Sequence, residues 1–189
     1  GIITPMREEL LERFIRYAKI TTTSDMHKEI CPSTECQWDL LNLLKNELSG
    51  LGLTDIDLNE HGYLIARIES NVDRDVPVIG FMAHVDTSSD VSGTDVNPQV
   101  FENYDGKPIY LKDDVVIDPV EDQHLSKYIG HTIITADGTT LLGADDKAGV
   151  AEIMTAVKYF QDNPEVKHGE IEIIFTPDEE TGKGMDRFP

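Results

Sequence analysis

Three short stretches carry side chains able to hold a cation: His84-Val85-Asp86, Asp145-Asp146 and Glu179-Glu180. Each follows an apolar run: Val78 to Ala83, Leu141-Leu142 with Gly143-Ala144, and Ile173 to Phe175. Strand side chains alternate with period two, so His84 and Asp86 share a side at a strand end. There the imidazole can ligate a metal and the acid can orient it. Each motif alone has a simpler reading. Asp145 or Asp146 would cap the helix that follows, and Glu179-Glu180 would be a solvated turn. Together they make one chemistry. One histidine with several carboxylates suits a divalent metal, zinc in particular, and cobalt or manganese can occupy such N/O sites too. Carboxylates this dense repel one another in a partly dry cleft unless a cation balances them.

The elements that must bring them together follow from periodicity. Thr4-Pro5 reads as a helix start, and Leu10, Leu11, Phe14, Ile15 and Ala18 line one face. Residues 21–33 read as a loop. Thr34 with Gln37 reads as a capping box before a helix carrying Trp38, Leu41, Leu44 and Leu48, which Gly50 ends. Residues 54–58 and 63–68 read as strands around a turn at 59–62. The continuous run 76–83 predicts a strand buried on both faces. Residues 87–128 are turn-rich, with a short strand near 115–117, and such a loop often rims a site. A strand at 132–135 leads into Asp137-Gly138, a hairpin signal that predicts a returning strand at 139–142. Val150, Ile153, Met154, Val157 and Phe160 predict a helix from about Lys147 to Gln161, stopped by Asn163-Pro164. Residues 170–175 read as a strand. Alternating helices and strands predict an α/β domain whose sheet gathers the three acidic motifs along one edge.

Composition narrows the partners. Sixteen basic against 36 acidic residues give a net charge of -20, which disfavours nucleic acid and anionic membrane surfaces. No apolar run is long enough to span a membrane, and no basic-then-apolar leader opens the chain, so a cytoplasmic location is expected. Cys31 and Cys36 read as ordinary thiols.

The three motifs in this order resemble the dinuclear zinc peptidase family that includes glutamate carboxypeptidases, dipeptidases and acetylornithine deacetylases. The closer likeness is to the tripeptide aminopeptidases of that family. It rests on Pro32-Ser33-Thr34-Glu35, on His84-Val85-Asp86-Thr87-Ser88, on Asn97-Pro98-Gln99, on Thr139 to Met154, and on Thr176-Pro177-Asp178-Glu179-Glu180 with Gly182-Lys183-Gly184. It runs from about Leu10 to the end. The resemblance implies a three-layer fold, with a mixed, largely parallel central sheet flanked by helices. His84 would ligate one zinc, Asp86 would steer it, and Asp145 would bridge two zinc ions ahead of a cis peptide bond. Asp146 would then give support; the residues alone leave open which of the two bridges. Glu179 would be the general base and Glu180 a ligand of the second zinc.

The resemblance also implies two further ligands, an Asp and a His beyond Pro189, and an inserted lid domain. Residues 1–189 are therefore expected to be the N-terminal portion of a catalytic domain, inactive alone. The implied reaction is metal-assisted hydrolysis of a tripeptide, releasing its N-terminal residue. A dipeptidase or N-acyl amino acid deacylase of the same family is the alternative, with a small peptide-like substrate in each case. A non-catalytic metal-binding or interaction module on the same scaffold is a further one; the presence of Glu179 argues against it. The oligomeric state is not set by the sequence.

Overall fold

A computed structural model describes residues 3–189, with side chains from Pro5 onward. Two helices open the chain, α1 (Ile3–Ala18) and α2 (Gln37–Gly50). The expected cap at Thr4 concerns a side chain outside those described; the helix already includes Ile3. Strands β1 (Asp55–Leu58) and β2 (Leu64–Ile68) form the expected hairpin. Asn59 shapes its turn, its side-chain oxygen accepting from the N–H groups of His61 and Tyr63 at 3.0 and 3.1 Å. Strand β3 (Ile79–His84) follows, then the short strands β4 (Gln99–Phe101), β5 (Ile109–Tyr110), β6 (Val116–Ile117) and β7 (Ile133–Thr135). Helix α3 (Ala144–Asp162) crosses to strand β8 (Ile171–Thr176).

The main sheet has the order β1-β2-β8-β3. It is mixed, as expected, but only its β3–β8 ladder is parallel; β1–β2 and β2–β8 are antiparallel. A largely parallel sheet is therefore not what the described strands form. Parallel strands need a crossover, and α3 supplies it, so β3 and β8 end side by side with His84 opposite Thr176.

One continuous core joins Phe14 and Tyr17 of α1, the leucines 40, 41, 44 and 48 of α2, and Val150, Met154 and Val157 of α3. These pack with Leu64, Ala66, Ile68, Ile171, Ile173 and Phe175 from the sheet. By register, Ile65, Ile174 and Met82 lie on the other face, outside that core. Two of the three expected layers are thus present. Burying each of these large apolar side chains contributes roughly 1.5–3 kcal/mol, which is how the leucine stripe holds α2 in place. A second, smaller core of Tyr104, Ile109 and Leu125 organises part of the predicted loop.

Three further expectations change. The run that reads as a strand buried on both faces is an edge strand: Ile79, Phe81 and Met82 are 57%, 42% and 49% exposed. Its sequence matches a central strand, but β8 is its only described partner. The capping box is not made. Helix α2 begins at Gln37 with Cys36 as an uncapped N-cap, because Gln37 and Thr34 use their side chains elsewhere. Residues 139–142 form no returning strand, since β7 pairs with β4 instead. The Asp137 carboxylate accepts from the N–H and hydroxyl of Thr139, closing a local turn. Gly50 is the last residue of α2, and the left-handed position lies two residues on, at Gly52 (φ 98°).

Candidate metal centre

His84 ends β3 because the strand runs into the cleft between the start of α3 and the turn after β8. Its ring is 9% exposed. Nδ1 lies 3.0 Å from Asp86 Oδ1 and 2.9 Å from the Asp86 carbonyl. Both are acceptors, so Nδ1 carries the proton and Nε2 turns to the cleft. Nε2 is 2.9 Å from Asp145 Oδ1 and 3.6 Å from Glu179 Oε2. Burial alone would lower the His84 pKa, but the hydrogen bond and charge of Asp86, with Asp145 and Asp146, outweigh it and raise it to about 9.

Asp86 is fully buried. Besides the imidazole it accepts the backbone N–H of Glu179 on Oδ1 and of Glu180 on Oδ2, each at 3.0 Å. One carboxylate therefore fixes both the histidine after β3 and the glutamate turn after β8. Removing the carboxylate would leave the two N–H groups unpaired and the Nδ1 of the imidazole held by the Asp86 carbonyl alone.

Asp145 and Asp146 do not sit at a strand end. They are delivered by loop 139–143 and the first turn of α3, where Gly143 adopts a left-handed φ of 82° and both aspartates leave helical geometry. The Asp145–Asp146 peptide bond is cis. The two carboxylates part: Asp145 points to His84 Nε2 with its side chain 80% exposed, while Asp146 Oδ2 accepts the His84 backbone N–H at 3.2 Å. Gly149 makes room for the latter, since a Cβ there would lie 2.4 Å from Asp146 Oδ1.

Donor atoms of His84, Asp145 and Glu180 all lie within 4.8 Å of one another. One imidazole nitrogen and two carboxylate oxygens suit zinc or a similar divalent ion, so these residues fit a metal. Charge agrees: burial, then Asp145 and Glu179, raise the Glu180 carboxyl pKa above its ordinary value. The nearest lysine in sequence does not relieve this crowding. Lys147 is 1% exposed, and its ammonium donates to the Ile20 carbonyl behind the site. Burial lowers its pKa to about 8.

All five residues singled out by sequence, His84, Asp86, Asp145, Glu179 and Glu180, thus converge. Sequence reasoning missed Lys147, Gly149 and Asp178. The Gly three positions after Asp146 is a signal visible only once helical spacing places it beneath that carboxylate. Asp178 was hidden among its acidic neighbours.

Residues 114–188 match the family described as Peptidase family M20/M25/M40. A peptidase T of Lysinibacillus sphaericus is 57% identical over 183 residues, which cover 97% of this chain and 45% of that protein. Among solved structures, the aminopeptidase PepT of Bacillus cereus is similar at a TM-score of 0.66 and 24% identity, covering 96% of this chain and 39% of that one. A tripeptidase of Staphylococcus aureus is similar at 0.63 and 23%, covering 93% and 37%. The chain spans less than half the length of the relatives it matches. At these identities the structural likenesses show a shared fold.

Proposed function

We propose, from the match of residues 114–188 to the Peptidase family M20/M25/M40, that the chain builds part of the zinc centre of a cytoplasmic aminopeptidase that releases the N-terminal residue of tripeptides. The observation that carries this reading is the convergence of His84, Asp145 and Glu180 within 4.8 Å, with Glu179 beside them. The likeness to peptidase T over 97% of the chain supports the narrower substrate class.

His84, Asp145 and Glu180 would hold the metal. A divalent ion there supplies Lewis acidity, polarising a carbonyl and lowering the pKa of water. Asp86 accepts a hydrogen bond from His84 Nδ1–H, which leaves Nε2 as the nitrogen that would face a cation. Asp145, open on its far side, is the carboxylate suited to serve two cations, and Asp146 braces the His84 backbone. Glu179 is held through its N–H, yet its carboxylate is 58% exposed and its Oε2 lies 3.6 Å from His84 Nε2. It is the base that takes a proton from water and returns it to the leaving amine. Adjacent glutamates can divide the labour because Glu180 belongs to the ligand group and Glu179 does not.

A polypeptide spanning the relatives' full length tests the reading. We expect two zinc ions per chain in the parent and in Glu179→Ala, with tripeptide hydrolysis in the parent and near-complete loss in the variant. Cleavage of dipeptides or acylated amino acids instead would keep the family and overturn the substrate. Absence of zinc, with full activity in Glu179→Ala, would overturn the mechanism.

A further inference from the structure

The stretch Pro32-Ser33-Thr34-Glu35 is part of the resemblance, yet the proposed chemistry gives it no task. The structure places it against Asp178, the residue before Glu179. Asp178 is 3% exposed and adopts a left-handed backbone, φ 57° and ψ 26°. That conformation is uncommon for any residue with a side chain, though aspartate tolerates it better than most. Its carboxylate is surrounded by donors. Ser33 N–H lies 2.9 and 3.1 Å from its two oxygens, Ser33 Oγ donates at 2.7 Å, and Gln37 Nε2 donates at 2.7 Å. The Asp178 N–H donates back to Gln37 Oε1 at 3.2 Å.

Ser33 and Gln37 are themselves buried and anchored. Ser33 Oγ accepts from Asp25 N–H at 2.9 Å, and Gln37 Nε2 also reaches Thr34 Oγ1 at 2.9 Å. Thr34 in turn donates to the Thr23 carbonyl at 2.7 Å. The glutamate turn is therefore gripped from two sides. Asp86 holds the N–H groups of Glu179 and Glu180, and the Ser33–Gln37 pair holds the residue that aims them.

We propose that Ser33, Gln37 and Asp178 are positioning residues that set the direction in which Glu179 and Glu180 face the cleft. The inference deepens the metal-centre reading and rests on it for its purpose. No step of it requires Ser33 or Gln37 to touch substrate or metal. A side chain such as Gln37, buried and hydrogen-bonded at both ends, orders its partner as well as stabilising it.

The test uses a polypeptide spanning the relatives' full length and two readouts: amide hydrogen exchange at Glu179 and Glu180, and zinc affinity by calorimetry. Gln37→Glu keeps the size but sets a carboxylate against that of Asp178. We expect exchange at Glu179 and Glu180 to quicken about tenfold or more, while core amides such as Ile173 and Leu41 keep their protection. The double variant Gln37→Glu/Asp178→Asn exchanges donor for acceptor, so protection should return. Ser33→Ala, a milder change, should show the same local effect in smaller measure. Zinc affinity should fall and recover in parallel. Unchanged exchange at Glu179 and Glu180 in the single variants would overturn the proposal. So would a uniform quickening across the core, or no recovery in the double variant. If the unaltered full-length polypeptide binds no zinc, the metal reading fails, and the exchange data still decide the clamp.

Discussion

Asp86 does more than its neighbours because it is the one carboxylate shared by both strand ends. Asp86→Ala removes the acceptor for Glu179 and Glu180 N–H and leaves His84 Nδ1 only the backbone carbonyl of residue 86. Each buried donor left unpaired costs about 1–3 kcal/mol, and loss of such an orienting partner lowers metal affinity about 10–100-fold. We expect Asp86→Ala to lose both stability and zinc affinity, read by thermal unfolding and calorimetry. Asp146→Ala should lose less, because it braces only the His84 backbone. Cys31 gives a second prediction at this scale. Burial, then the charge of Asp178, pushes the Cys31 thiol up to about 11, and its Sγ–H donates to the His61 carbonyl. A raised thiol pKa means the native state keeps its proton where the unfolded chain would lose it. Stability from this group is present below its ordinary pKa and is lost as pH climbs toward 11. Alkylation of Cys31 followed by mass spectrometry should accordingly wait for strongly alkaline solution.

At the scale of elements, the first turn of α3 carries a conflict between propensity and position. Alanine is favoured over glycine inside a helix by about 1 kcal/mol, so Gly149→Ala would be stabilising on propensity alone. Here the added Cβ meets Asp146 Oδ1 at 2.4 Å. We expect Gly149→Ala to displace that carboxylate from the His84 N–H and weaken zinc binding about tenfold or more, whichever way the melting temperature moves. What was legible in the sequence follows the same division. Periodicity located α2, β1, β2, α3 and β8 closely, because each has a strong apolar pattern and a turn or breaker at its end. It failed where long-range pairing decided. Thr34 and Gln37 have capping-box spacing, but a buried Asp178 claims Gln37. Asp137-Gly138 has a hairpin signature, but β4 claims β7. The site residues were legible because their chemistry is unusual; the second aspartate's role, and that of Asp178, needed coordinates.

For the molecule as a whole, the outer edge of β3 is the weak point. Val78, Ile79, Phe81 and Met82 are exposed along it, on both faces of the sheet, beside backbone groups with no described strand partner, and such edges recruit further strands. The net charge of -20 opposes this only at low ionic strength. We predict salt-dependent self-association of the 189-residue chain by analytical ultracentrifugation, suppressed by Met82→Lys. An equal monomer fraction at low and high salt would contradict it. The same strand ends in His84, so a strand added at this edge would lie next to the proposed metal ligand.

The central claim, that residues far apart in sequence, from two strand ends and the start of α3, form one metal centre, is tested most directly by cobalt(II) titration followed in the visible spectrum. A polypeptide spanning the relatives' full length should develop d–d bands at a saturable stoichiometry. His84→Ala and Glu180→Ala should each weaken them strongly, whereas Glu179→Ala should leave them largely in place. Bands of equal strength and affinity in His84→Ala and Glu180→Ala, or none in the unaltered polypeptide, would contradict it.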